Sequence, residues 1–456
     1  MRRDPLFFFA LAFAIGLSGS IPFSLVASLA SLFFFRSLTP TLILLIGLFF
    51  HPIAPSVPED LSGRGLFVPE NISLHSSFHK HKKRRIRGEL IAFGSLEQPL
   101  TVSIQSSQNA GCHWIVEGTL KKGGRGFICK KAEPVPRTWT PAEWRFQLKQ
   151  QFRRYLKTHL QEAHSLLFSL FTGEIEEKEL RFLFSRLGLQ HLLAISGFHF
   201  MLLLGLLSSL LSLLFPPRFS IALLALFMAA YFLFVGNSPA VFRSFVMAEL
   251  LLISRFIDRP LRGLNLLGFS LLIELLLFPS HLKTVSLQLS YTSVAAIFLL
   301  SPSIDLALQT VFPKRHLAQL VSAPLSSQIL FALSSFFRKG LSISLAIQIA
   351  LAPLLLAHFG AFQWIGILYN LIIPPLLALS MTLLLFALPL GSFGSPLFFA
   401  SKSIALEALL LIRNPPILFD SPLFFSSLSL PLAYSYLAIL GTFLLYWRSL
   451  NLARRS

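Results

Sequence analysis

The sequence predicts a mainly α-helical, polytopic membrane bundle, with a small exoplasmic β-barrel of the OB-like kind inserted after N-terminal membrane segments. Three observations carry that prediction. Hydrophobic residues make up 54% of the 456 residues and charged ones only 13%, against roughly 25% charged in an ordinary soluble domain. Several apolar runs approach the ~20 residues that span hydrocarbon as a helix. Between residues 55 and 165 the character changes: that stretch holds 18 Lys or Arg against 9 Asp or Glu, and part of it alternates apolar and polar residues as strands do.

Residues 1–54 read as membrane segments. Arg2 and Arg3 precede an apolar run from Leu6 to Leu17, a second run from Phe23 to Phe35 ends at Arg36, and a third follows from Thr41 to Phe50. One such run alone would read as a cleaved secretory signal. Three in succession favour retained segments, with the arginines inside and residue 55 outside.

Residues 55–139 read as a linker and the exoplasmic β domain. Pro, Ser and Gly dominate up to Phe78, and then Lys80, Lys82, Lys83, Arg84, Arg85 and Arg87 form a dense basic run. Such a run contacts a phosphate backbone or serves as a solvated tether, and both readings stand. Strand-like alternation covers 87–93, 100–105, 113–120 and 126–131, with Gly123-Gly124 as a hairpin turn flanked by Lys121, Lys122 and Arg125. Four or five short strands without a long helix suit a small OB-like barrel. Of the chain's net charge of +19, residues 55–165 contribute nine. The other basic residues cluster in short connections, as positive-inside loops do, but long translocated domains escape that rule. Their excess points to an anionic ligand. Cys112 and Cys129, the two cysteines, are expected to pair as a disulfide if the domain is exoplasmic, worth about 3 kcal/mol in the chain-entropy picture; otherwise they are free thiols in neighbouring strands.

Residues 140–187 change period. Trp144, Leu148, Phe152, Tyr155, Leu156, Leu160, Ala163 and Leu167 recur every three or four positions, while Arg145, Lys149, Arg153, Arg154 and Lys157 take other positions. This predicts an amphipathic basic helix for the membrane surface or a groove. Thr172-Gly173 ends it, and a short helix with an acidic first turn runs to Gly188, a C-terminal stop. From 188 to 456 the helical bundle is expected, with crossings at 191–215, 219–236, 239–254, 263–279, 285–302, 341–359, 363–391 and 430–447. Stretches 318–337 and 396–412 are expected to lie along or re-enter the membrane.

Strongly polar groups inside such segments face the bundle interior or a wet path, because insertion costs about 2.5–3.5 kcal/mol per charge. His191, Ser196, Gly197 and His199 stand at the head of one run. Ser196 and His199 share a helix face, which fits a polar pore element, helix-packing polarity, or nucleophilic catalysis; no third group completes a triad. Gly236-Asn237-Ser238-Pro239 reads as a turn into a helix with Arg243 in its first two turns, suited to an anion or to an ordinary hairpin whose Arg243 pairs with a headgroup or Glu249. Glu249 and Glu274 are expected to pair with Arg243 or between helices. Gln288, His358 and Asn370 punctuate later segments, as interhelical hydrogen bonds or as lining.

His191-Leu-Leu-Ala-Ile-Ser-Gly-Phe-His199, the Ser238-Pro-Ala-Val-Phe-Arg243 helix start, the Asn265, Pro279 and Gln288-Leu-Ser-Tyr291 succession and the His358-Phe-Gly, Asn370, Pro374 stretch follow the order of the ComEC family of competence proteins, which this chain resembles over most of 174–390. The resemblance implies a multi-pass channel of the cytoplasmic (inner) membrane that carries single-stranded DNA into the cell during natural transformation. It implies no enzymatic activity, cofactor or metal. His191, Ser196, Gly197, His199, Asn237, Ser238, Arg243, Gln288, His358 and Asn370 would line the path. Lys80, Lys82, Lys83, Arg84, Arg85, Arg87, Lys121, Lys122 and Arg125 would receive DNA, with Trp114 stacking on bases. Membrane lipids, a DNA receptor, a cytoplasmic helicase and a separate nuclease are the implied partners. Many members continue into a metallo-β-lactamase-like domain, and these residues hold no His-x-His-x-Asp-His cluster, so strand degradation is expected to fall to another protein or to be absent. No nucleotide-binding Gly-x-x-x-x-Gly-Lys-Ser/Thr loop is present either. The competing readings are a small-solute transporter or permease, which would carry paired broken helices in inverted repeats, and an intramembrane hydrolase using Ser196 and His199.

Overall fold

A computed structural model describes residues 61–74, 84–91, 93, 100–106, 110–120, 127–175, 177–259, 261–313, 324–415, 423–424 and 428–453. The expected N-terminal membrane segments lie outside them, as do Lys80, Lys82, Lys83, Lys121, Lys122 and Arg125. The chain divides into two compact units, one of residues 52–180 with 193–245, the other of 1–51, 181–192 and 246–456.

In the first unit five antiparallel strands, β1 (Leu61–Leu74), β2 (Arg84–Ile91), β3 (Leu100–Ser106), β4 (Trp114–Leu120) and β5 (Phe127–Pro134), form one sheet in the order β3-β2-β1-β4-β5. The sheet curls into a half-barrel whose edge strands β3 and β5 approach each other. Period two drives this: in β4, Trp114, Val116, Gly118 and Leu120 are buried while Ile115, Glu117 and Thr119 face outward. Phe67, Ile86, Leu90, Val102, Ile104 and Phe127 fill the concave side with them. Gly118 is needed where it stands, because a Cβ there would strike the Ile128 carbonyl and the Phe127 ring. A helix, α1 (Ala142–Leu160), then closes the barrel with Ala142 and Phe146, which belong to the same core.

Two sequence expectations change here. Trp114 has no exposed surface and packs on Phe67 with ring centroids 5.8 Å apart. It is a core residue and presents no face to a base. Cys112 and Cys129 are free thiols. The register sets Cys129 opposite Gly118 and Pro134 opposite Trp114, so the strand from Trp114 to Gly118 alone, about 13 Å at ~3.3 Å per residue, separates the two cysteines beyond the ~7 Å Cα reach of a disulfide. Each instead packs separately against the barrel core.

Helix α1 also differs from its predicted orientation. Arg145 and Lys149 are buried and Trp144 is 49% exposed. The helical period is as expected; the face turned inward carries two cations because each finds an acceptor there, as described below. Next come α2 (His164–Thr172), ended by Gly173 at φ 70, α3 (Lys178–Arg186) and α4 (Gln190–Leu193). At the end of α3 Leu189 N–H donates to Phe184 O at 2.7 Å and Gly188 N–H to Ser185 O at 3.1 Å, a Schellman stop with Gly188 at φ 72. Helices α5 (Gly197–Leu214), α6 (Pro217–Val235) and α7 (Pro239–Phe256) follow.

The second unit contains α8 (Gly263–Leu277), α9 (Val285–Leu299), α10 (Ser301–Leu308), α11 (Leu325–Phe359), α12 (Gly366–Leu390), α13 (Ser395–Arg413) and α14 (Leu430–Ala453). Across both units, α5, α6, α11, α12 and α13 are long and apolar enough to cross a membrane, and α9 with α10 would make a sixth span bent by 45°. The protein is a multi-pass membrane protein. Where separate segments at 318–337 and 341–359 were expected, α11 is one helix of 35 residues, about 52 Å long at 1.5 Å per residue. The stretch expected to lie along or re-enter the membrane, 396–412, is the 19-residue α13. By length and composition α7 falls short through Arg243, Glu249 and Arg255, and α8 through its 15 residues.

Candidate functional site

On the convex side of the half-barrel, charge is arranged unevenly. Arg64 Nε lies 3.3 Å from Glu117 Oε2 across the β1–β4 register, and Lys131 pairs with Glu133. Two of the cations there are thus paired while Lys130 is exposed, and Lys131 holds the Glu133 carboxyl below its ordinary pKa. On β2, Arg85 and Arg87 face outward on either side of buried Ile86. Their register partners are uncharged, Ser73 and Gln105 for Arg85, Asn71 and Ser103 for Arg87. Arg84 sits in register between Leu74 and Ser106. A basic and hydrogen-bonding stripe thus runs over β1, β2 and β3, with half-exposed Glu89 two residues beyond Arg87 on the same face.

The helices of this unit hold the second cluster. Ser196 precedes α5 in extended conformation, φ -137 and ψ -179, and its backbone N–H donates to His199 Nδ1 at 3.3 Å. His199 is fully buried. The pair is a capping box in which imidazole takes the place of the usual Glu or Gln. In that bond Nδ1 is the acceptor. Ser196 Oγ stands 3.5 Å from the same Nδ1, at the limit of a hydrogen bond. Arg243, 5% exposed, lies over the first turn: a Cβ on Gly197 would be 3.4 Å from its Nη2, and Nη2 is 3.4 Å from Ser244 Oγ. Gly197 is what lets a guanidinium rest against the backbone of α5.

Sequence reasoning missed a third feature in this unit. Lys149, 1% exposed, donates from Nζ to Glu174 Oε1 at 2.8 Å and to Val235 O at 3.0 Å, so it caps the C-terminus of α6. Arg145, one turn earlier, donates from Nη2 to Glu70 O at 2.6 Å, beside the β1 bulge between Pro69 and Asn71. Burial pulls its pKa below the ordinary guanidinium value, with the Glu70 charge acting the other way. The i, i+4 spacing of the two cations was visible in sequence; their inward direction depends on carbonyls from elsewhere in the chain. Asn237 is exposed, and Ser238 O accepts the Phe242 N–H at 2.8 Å where α7 begins.

In the other unit, exposed His191 bonds through Nδ1 to Gly188 O at 3.2 Å, a local turn contact. Gln288 and His358 are brought together, Oε1 and Nε2 3.2 Å apart, and Gln288 Nε2 donates to Leu282 O at 3.2 Å. Asn370 comes near Gly366, whose Cβ would sit 3.9 Å from its Nδ2 and 3.5 Å from Gln348 Nε2. Glu274 pairs with neither arginine nor a second glutamate. It is fully buried, 3.1 Å from His281 Nδ1 through Oε1 and 2.9 Å from Tyr291 hydroxyl through Oε2. Arg338, 1% exposed, grips Asp305 Oδ1 through Nε at 2.8 Å and donates from Nη1 to Phe312 O at 2.8 Å.

No group of three or more His, Cys, Asp or Glu suited to a metal occurs among the described residues. The model of a family described as Competence protein matches residues 170–450. Among curated proteins the chain is similar to ComE operon protein 3 of Bacillus subtilis (strain 168), 29% identical over 200 residues. That stretch covers 44% of this chain and only 22% of the relative's length. No solved structure matches.

Proposed function

Since the chain belongs to the competence protein family, with the general role in competence and DNA uptake that membership carries, we propose that it forms the channel through which single-stranded DNA crosses the inner membrane in natural transformation. One observation carries the reading: within the family-matched region a buried arginine and a buried histidine, Arg243 and His199, lie with half-buried Ser196 at the start of α5, a helix long and apolar enough to span a membrane. A polyanion cannot cross bare hydrocarbon, and such groups are what a conducting path requires.

The half-barrel supports the same reading. Its strand order, with β1 paired to both β2 and β4 and with β3 approaching β5, is compatible with an OB-like barrel. The stripe of Arg85 and Arg87 suits a phosphate backbone. In this reading residues 55–165 are exoplasmic and receive the strand, and the helices from 188 onward conduct it. A DNA receptor, a cytoplasmic helicase and a separate nuclease act with it. In this reading the protein is a conduit and not an enzyme.

The test is genetic. Deleting the gene is expected to abolish chromosomal transformation while surface DNA binding persists, and a plasmid copy is expected to restore it where an Arg243→Ala copy does not. Normal transformation in the deletion strain would end the proposal.

A further inference from the structure

Two tryptophans near the half-barrel are left outside its core. Trp139 is 72% exposed and Trp144 49%. A lone exposed aromatic needs no explanation, but the backbone around Trp139 is pinned on both sides. Thr138 Oγ1 accepts the His113 N–H at 2.9 Å, and Thr140 donates from its N–H to Gly111 O at 2.9 Å and from Oγ1 to Ala110 O at 2.6 Å. The indole between them is presented on a fixed frame, which lowers the entropy lost when a flat partner stacks on it.

Trp144 opens a stripe along α1. Trp144, Gln147, Gln151, Arg154 and Thr158 are all exposed, and at about 100° per residue each lies within about 40° of the direction opposite Lys149. Lys149 fixes where that stripe points. The 19 residues of α6 extend about 28 Å, matching the ~30 Å of hydrocarbon. The last carbonyls of a helix point out of its C-terminal end, so Lys149 Nζ, 3.0 Å from Val235 O, lies beyond the span. Helix α1 therefore crosses that end on the aqueous side, and the face opposite Lys149 looks away from the bilayer. On that face and ahead of it, the side chains of Trp139, Trp144, Gln147, Gln151 and Arg154 take no partner among the described residues. No acid interrupts the stripe: Glu143 is turned inward onto the Ala110 N–H, and the next acid along the chain, exposed Glu162, follows the helix. Indole faces, carboxamides and an unpaired guanidinium in one row complement a chain of bases joined by phosphates.

We propose that the aqueous face of α1 binds single-stranded nucleic acid, with Trp139 and Trp144 stacking on bases, Gln147 and Gln151 hydrogen-bonding to them and Arg154 contacting phosphate. The inference rests on the reading of the protein as a DNA channel and deepens it. Stacking that buried Trp114 cannot supply falls to residues outside the barrel core. The stripe runs about 21 Å from Trp144 to Thr158, so a strand lying on it passes from the barrel across the end of α6. Lipid headgroups are the rival occupant, since tryptophan is common at membrane surfaces; the geometry turns the stripe away from them, and the experiment separates the two.

The full chain in nanodiscs of zwitterionic phosphatidylcholine is titrated, at several salt concentrations, with a labelled oligothymidylate and with an abasic oligomer of equal length. Trp144→Ala is expected to weaken oligothymidylate binding about tenfold with an unchanged salt slope, and to leave binding of the abasic oligomer as it was. Arg154→Gln is expected to flatten the log affinity against log salt slope by about one on both ligands. Gln151→Glu sets a carboxylate in the middle of the stripe and is expected to weaken both ligands about tenfold, which keeps the test valid if Trp144→Ala folds poorly. Oligothymidylate affinity unchanged in Trp144→Ala and Gln151→Glu overturns the stripe, as does an equal loss on the abasic oligomer in Trp144→Ala. Brominated phosphatidylcholine that quenches the Trp144 share of the fluorescence, read as wild type minus Trp144→Phe, assigns the face to lipid and also overturns it. Wild type that binds neither oligomer overturns the channel reading, whereas wild type that binds beside variants of unchanged affinity overturns the stripe alone.

Discussion

The hydroxyl of Tyr291 donates to Oε2 of Glu274 at 2.9 Å, and both side chains are more than nine-tenths buried between α8 and α9. Hydrogen bonds to a buried charged acceptor are worth about 1.5–3 kcal/mol each. Tyr291→Phe is therefore expected to lower the melting temperature of the detergent-solubilised protein. Glu274→Gln should cost less than Tyr291→Phe, because the amide needs less solvation than a carboxylate. The reverse order would show that the cluster does not hold a charge.

Arg338 and Asp305 fasten α10 to α11 out of contact with water on the arginine side. Removing one partner of a buried pair typically costs about 3–5 kcal/mol. Arg338→Ala is expected to be nearly absent from membranes on immunoblotting. Arg338→Lys should be rescued poorly, because an ammonium cannot reach Asp305 and Phe312 O with the fork that Nε and Nη1 provide. The double replacement Arg338→Met with Asp305→Leu should accumulate better than either single change.

At the start of α5, Ser196→Ala removes the hydroxyl of the capping box, which also stands 3.5 Å from His199 Nδ1. It is expected to cost at most about 1 kcal/mol and to leave transformation near wild type. Gly197→Leu must push the Arg243 guanidinium away and is expected to abolish transformation with normal protein levels. If Ser196→Ala alone eliminated uptake in protein of unchanged melting temperature, a catalytic serine would be the better account.

The uneven convex face gives a salt-dependent prediction. Replacing Arg87 with Ser should flatten the salt slope of oligonucleotide binding by about one, whereas Arg64→Ser, which breaks a pair with Glu117, should change it little. Equal slopes for the two variants would remove the assignment of the stripe to phosphate contacts.

The thiols offer a chemical check. Alkylation under denaturing conditions without reductant, read by mass spectrometry, should label both Cys112 and Cys129. In the native protein Cys129 should react more slowly than a free thiol, because burial raises its pKa above the ordinary value. A mass two units lower and no label would reveal a disulfide.

Repetitive physics was legible in the sequence and tertiary partnership was not. Alternation located the strands because side chains in a strand change face at every step, and the αL demand at Gly173 and Gly188 marked two helix ends. The same periodicity argument put Arg145 and Lys149 on the polar side of α1. It failed there because the inward face offers them the carbonyls of Glu70 and Val235 and the Glu174 carboxylate, none of which is near in sequence. Trp114 looked like a stacking platform for a similar reason: an aromatic at a strand start gives no sign of which way the sheet curls. Glu274 was recognised as a buried charge needing a partner. Its actual partners, His281 and Tyr291, follow from the way the 3-10 turn at Pro279–Lys283 folds back under α8.

Ala142 and Phe146 lie in the barrel's own core although they belong to α1. The barrel is therefore not a cassette that ends with its last strand. A chimera that imports the barrel of a relative and joins it after residue 139 would leave part of the interior behind on the recipient, exposing a greasy hole in one partner and a mismatched plug in the other. Recombination between relatives can exchange this module cleanly only if the crossover falls beyond the second turn of α1, so the first turns of the helix and the strands are expected to be inherited together.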